Sequence, residues 1–122
     1  MTGQQAVEAV YKYLLKAMLG VKVFSNDKAP SFKGKYVVIN QLRFPQDPGL
    51  NSGYVNINIS CPDIEGRADR KGIEEIAAKV GPLFENAFLD GAYFIYQSDS
   101  FAPDNDGTHY KNITLRVNYI NL

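Results

Sequence analysis

The chain has 122 residues, with 13 Lys+Arg against 13 Asp+Glu and a formal net charge of zero. No overall field draws it onto nucleic acid or an anionic membrane, so any basic site must be local. The length suits one domain, 1–122, with its own core, and a single cysteine, Cys61, excludes a disulfide-stapled miniprotein. Met1-Thr2-Gly3-Gln4-Gln5 lacks the basic and apolar regions of a leader, and no stretch approaches the ~18 apolar residues of a membrane span. The expectation is a soluble intracellular protein.

Thr2 to Leu19 reads as a helix, because Val7, Val10, Tyr11, Leu14 and Met18 recur on one face. Thr2 and Gln5 have capping-box spacing, and Gly20 supplies a left-handed residue to stop the helix. Val21 to Phe24 reads as a short edge strand. Ser25 to Lys35 follows as an exposed loop, longer than a connection needs. Tyr36 to Phe44 is β-branched and aromatic, a central strand covered on both faces. Pro45, Pro48 and Gly49 then break the chain through Gly53.

Tyr54 to Cys61 alternates cleanly, with Val55, Ile57, Ile59 and Cys61 on one face and Tyr54, Asn56, Asn58 and Ser60 on the other. A second helix is expected from Ala68 to Leu89, N-capped by Asp69, with Ile73, Ile76, Ala77, Val80, Phe84 and Phe88 on its stripe and a break near Gly81-Pro82. Ala92 to Phe101 and Thr108 to Leu122 complete the order α-β-β-β-α-β-β. The fold class is therefore α+β, two helices packed on one face of a mostly antiparallel sheet.

Catalytic chemistry finds little support. Cys61 lies on an apolar strand face and reads as a small buried hydrophobe, while the single histidine, His109, opens the last strand as a surface residue. An enzymatic reading would pair His109 with Asp104 or Asp106. No zinc, P-loop or nucleophile-elbow motif is present, and no cofactor is called for. Asp104-Asn105-Asp106-Gly107 resembles part of a calcium loop but lacks the later oxygens and closing glutamate, so it reads as a turn. The sequons at Asn58 and Asn112 lie in strands and are read as structural.

Two local basic groups remain: Lys28, Lys33 and Lys35 in the first long loop, and Arg67, Arg70 and Lys71 at the start of the second helix. They are the candidate DNA-facing residues. Cations at a helix N-terminus oppose its dipole, which favours solvated or paired side chains over a helix-end anion site. On the outward strand face Asn56, Asn58, Ser60, Asn112, Thr114, Arg116 and Asn118 offer hydrogen bonds without a greasy surface. They are the candidate subunit or partner interface.

Three segments carry a family resemblance: Val55-Asn56-Ile57-Asn58-Ile59-Ser60-Cys61-Pro62-Asp63; Gly66-Arg67-Ala68-Asp69 with the helix after it; and Asp106-Gly107-Thr108-His109-Tyr110-Lys111-Asn112-Ile113-Thr114-Leu115-Arg116-Val117. With the element order, they make nearly the whole chain similar to the tail completion and tail terminator proteins of tailed bacteriophages. The resemblance implies a non-enzymatic neck protein of a phage or prophage that forms a ring, typically a hexamer, capping the tail tube and joining it to the head connector. DNA would pass through the lumen, with non-specific contact there. Assembly would occur in the bacterial host cytoplasm, and the product would reside in the virion neck or tail. The loops Ser25 to Lys35 and Pro45 to Gly53 are the expected neighbour contacts. The alternative is a small α+β adaptor that contacts DNA or protein through the basic loops.

Overall fold

A computed structural model describes residues 1–104 and 107–122. The fold is mixed α+β. Helix α1 spans Gly3–Lys16 and α2 spans Arg70–Val80; the strands are β1 Lys22–Ser25, β2 Tyr36–Gln41, β3 Gly49–Pro62, β4 Ala87–Leu89, β5 Ala92–Pro103 and β6 Thr108–Asn121. They form one sheet in the order β1-β2-β3-β6-β5-β4, antiparallel except for β1 and β2.

The core lies where both helices meet one sheet face. Val37 and Ile39 of β2, Val55, Ile57, Ile59 and Cys61 of β3, and Ile113, Leu115 and Val117 of β6 are within 1% of full burial, as are Val7, Val10 and Leu14 of α1 and Ile73 and Val80 of α2. They belong to one contiguous hydrophobic cluster. In-register pairs such as Val37 with Ile59 and Ile57 with Ile113 place apolar side chains opposite one another on that face.

Both helix starts follow the residues expected of them. Thr2 accepts from the Gln5 N–H while the Gln5 side chain accepts from the Thr2 N–H, a complete capping box. Asp69 caps α2 by accepting from the Gly72 N–H at 2.9 Å. A Cβ at Gly72 would sit 2.3 Å from that same carboxylate, so glycine is what lets the cap close.

The helix ends differ from the sequence reading. α1 stops at Lys16 rather than Leu19: Met18 takes the left-handed conformation two residues before Gly20, and is 85% exposed instead of facing the core. α2 ends at Val80, and Gly81–Phe84 tighten into a 3-10 turn. Pro82, which cannot donate to an α-helical ladder, sits at the start of that turn. The chain then forms β4, a sixth strand the sequence pattern hid, so Phe88 is 60% exposed on a strand rather than buried on a helix. The order is thus α-β-β-β-α-β-β-β. β3 also begins at Gly49, five residues earlier than expected, because pairing with β6 continues from Pro62 and Thr108 to Gly49 and Asn121.

The ten residues between β1 and β2 have a topological reason. Parallel strands demand that the chain return along the sheet before pairing, which no tight turn can do. Their Phe32 packs edge-on against Phe24 and Tyr36, with ring centroids 5.2 and 6.0 Å away. β2 is therefore covered on its far face only in part, by this aromatic group over Tyr36.

Candidate functional site

The sheet face opposite the helices carries the candidate interface residues. Strand register aligns them in rows: Asn40, Asn56 and Thr114; then Asn58 and Asn112; then Tyr54 and Arg116; then Ser52 and Asn118. All seven expected residues thus lie on one face, shared between β3 and β6. They are not simply solvated. Asn56 Nδ2 donates to Asn40 Oδ1 at 3.1 Å, and Asn112 Nδ2 donates to Asn58 Oδ1 at 2.8 Å. The Thr114 hydroxyl lies 2.9 Å from Asn112 Oδ1 and 3.3 Å from Asn56 Oδ1, and Ser52 Oγ donates to Asn118 Oδ1 at 2.8 Å. Ser60 is 4% exposed. The result is an amide ladder crossing three strands, held in place by its own bonds.

The ladder floors a concavity of about 440 Å³, lined also by Tyr36, Tyr110, Lys28, Asp27 and Asp104. Asn40, Tyr36 and Tyr110 escaped the sequence reading. Their in-register partners were legible, but their own place on this face follows from pairing of β2 with β3 and of β3 with β6.

The other end of the face is apolar. Phe88, Tyr93, Asn118 and Ser52 form one row across four strands, with Leu50 and Ile120 paired in the next. Leu50, Ile120, Phe88 and Tyr93 are 74%, 65%, 60% and 49% exposed, and the Phe88 and Tyr93 rings pack with centroids 4.8 Å apart. Local periodicity does not reveal this patch, because its members are scattered over 70 positions, from Leu50 to Ile120. Exposed apolar side chains gathered on adjacent strands are what protein contact surfaces display.

The basic residues are divided among several environments. Lys28 and Lys33 line a second concavity of about 310 Å³ with Phe32 and Tyr36, and the Lys28 ammonium lies 5.9 Å from the Tyr36 ring centre. Lys35 pairs with Asp69 at 3.7 Å, joining the first loop to the start of α2. The Arg70 guanidinium stacks 4.0 Å above Phe101, whose ring also stacks with His109. Arg67 and Lys71 are exposed.

His109 is half-buried rather than superficial, and its carboxylate partner is Asp63, with Nδ1 and Oδ1 2.6 Å apart. The enzymatic alternative names Asp104 or Asp106 and does not include Asp63; His109 stands in register with Cys61, beside the turn after β3 that carries Asp63. Asp104 bonds through its backbone N–H to Thr108, and Asp106 lies outside the described residues. Cys61 is fully buried, and burial pushes its thiol up to about 11, partly opposed by Lys35. The thiol is therefore neutral at physiological pH, the opposite of an activated nucleophile. Nearby, Lys111 holds both oxygens of Glu74 at 2.9 and 3.1 Å and lies 3.8 Å from Asp99, tying α2 to the sheet. Among the described residues, no three metal-ligating side chains converge. Nor is any helix long and apolar enough to cross a membrane.

No family model matches this chain, and no curated protein matches it. Among solved structures, 21 chains are similar in fold. One, designated only by a sequence identifier, aligns with a TM-score of 0.61 at 17% identity, covering 94% of this chain and 90% of its own. At that identity the likeness defines the class of protein by fold alone: a mixed α+β domain with two helices on a six-stranded sheet.

Proposed function

We propose that the chain is a structural subunit of a phage or prophage neck, closing head to tail into a ring that caps the tail tube and meets the head connector. One observation carries the reading: the sheet face away from the helices presents an apolar patch beside a self-bonded amide ladder. A surface of that composition fits a protein neighbour, with apolar anchors at one end and hydrogen-bonding groups at the other. The segments resembling tail completion and tail terminator proteins fall on β3, the start of α2 and β6, which adjoin one another in the fold. Ring closure uses a heterologous contact, in which one patch meets a different patch on the next copy. The reading is tested by light scattering across a concentration series with negative-stain imaging, which expects closed rings.

The adaptor reading is favoured by a separate observation, that Lys28 and Lys33 share a concavity with two aromatic rings. Salt-dependent retention on DNA, lost on Lys28→Ala and Lys33→Ala, is its test.

A further inference from the structure

A separate surface lies on the helix side of the sheet, where the end of α1 meets the edge strand β1. We propose that an extended segment of a neighbouring protein, apolar on one side and acidic on the other, adds as a strand to the free edge of β1 and seats its apolar side chains in the groove beside it. This contact does not use the sheet face on which the ring reading rests.

The edge sets the form of the occupant. β1 ends the six-stranded sheet and pairs only with β2 among the described residues. Backbone groups on its outer side therefore lack a ladder partner, and an extended chain is what supplies one. Val23 is buried on the helix side, while Lys22 and Phe24 lie on the other face, the Lys22 ammonium 5.7 Å from the Phe24 ring centre. An added strand alternates in step with them, so one side chain enters the groove and the next stands beside Lys22.

The groove sets the apolar side. Leu14 and Leu15 of α1, Met18 and Leu19 after it, and Val23 of β1 line a concavity of about 360 Å³. Met18 holds a left-handed conformation that favours glycine, yet its side chain is 85% exposed and adds little packing to the single chain. A strained backbone that presents an apolar side chain to solvent fits a contact completed in a complex.

Charge sets the other side. From Ala9 to Asn26 the chain carries Lys12, Lys16 and Lys22 and no carboxylate. None of the three has an ion-pair partner among the described residues. Lys79 of α2 adds a fourth ammonium, 3.4 Å from the Leu19 carbonyl oxygen. Asp90 shares a concavity with Lys12 and Lys16, on the side of α1 towards β4 rather than β1. A carboxylate opposite Lys22 is attracted, whereas a second copy offering the same edge brings its own Lys22 and is repelled.

The test titrates the full-length, nitrogen-15-labelled protein with three blocked pentapeptides: acetyl-Glu-Val-Glu-Val-Glu-amide, its Lys-for-Glu counterpart and its Ser-for-Val counterpart. Saturable shifts of the Val21 to Ser25 backbone amides with the first peptide alone are expected. Lys22→Glu is expected to weaken that binding by about fivefold or more and to transfer the preference to the lysine peptide. Met18→Gly separates contact from fold: it relieves the left-handed backbone, so thermal stability should hold or rise while affinity falls. Absence of saturable shifts up to the solubility limit of the first peptide, equal binding of either counterpart, or a preference unmoved by Lys22→Glu overturns the inference. So do shifts of the same amides with protein concentration alone, which would give the edge to a second copy.

Discussion

Asn112 and Asn58 stand directly opposite each other on β6 and β3, and the amide of the first donates to the carbonyl oxygen of the second at 2.8 Å. This bond joins the two longest strands on the face that no helix covers, so the same pair serves the fold and the candidate interface. Replacing Asn112 by alanine removes a half-buried bond and leaves Asn58 without that donor. The expected loss is about 1 kcal/mol, read as a lower urea midpoint at unchanged slope. A larger loss would mean that the ladder acts as a cooperative unit.

Leu50 and Ile120 test the apolar end of the face. Both are largely exposed in the single chain, so Leu50→Ser and Ile120→Ser should change monomer stability by less than about 0.5 kcal/mol. Their effect should appear in association: the doubly substituted chain is expected to stay monomeric at concentrations where the parent assembles. Sedimentation velocity on the two proteins decides it, and unchanged assembly would move the contact elsewhere.

Gly53 is constrained by an aromatic neighbour. A Cβ there would lie 2.8 Å from the Phe44 ring, which stacks on Tyr119 with centroids 5.3 Å apart. The Tyr119 hydroxyl in turn donates to the Pro45 carbonyl. Gly53→Ala must displace this stack, with an expected cost of about 1–3 kcal/mol. Thermal denaturation measures the loss, and a simultaneous Phe44→Ala substitution should recover part of the clash.

Alkaline pH should weaken the fold. Burial raises the Cys61 thiol from its ordinary 9.0 to about 11. The Tyr96 phenol rises from 10.0 to about 12, through burial first and then the hydrogen bond and charge of Asp99. In both cases the folded state holds the proton more tightly than the unfolded state. The stabilisation is therefore complete below about pH 9 and lost progressively as pH climbs towards 11 and 12. Urea unfolding at stepped pH should show a plateau and then a decline, and Cys61→Ala should flatten its first part. A thiol reagent at pH 8 should modify Cys61 only in the unfolded chain.

Periodicity made much of this fold legible. The alternation from Val55 to Cys61, the spacing of Val7, Val10 and Leu14, and the Thr2 and Asp69 caps each reflect a local rule that the tertiary structure obeys. What escaped was decided non-locally. Gly49 to Gly53 has the composition of a turn yet is strand, because β6 offers a ladder that outweighs weak intrinsic preference. Phe88 fits a helical stripe by spacing, but the proline at 82 ends that helix and the residue joins β4 instead. The site divides the same way. The asparagines were readable from alternation along single strands, whereas the apolar patch exists only after four strands have been placed side by side.

The most direct test of the central claim is light scattering behind size exclusion over a wide concentration range, with negative-stain images of any large species. The neck-ring account predicts discrete closed rings of uniform subunit number, formed by the chain alone or on the tip of added tail tubes. A chain that stays monomeric throughout and does not bind tail tubes would contradict it.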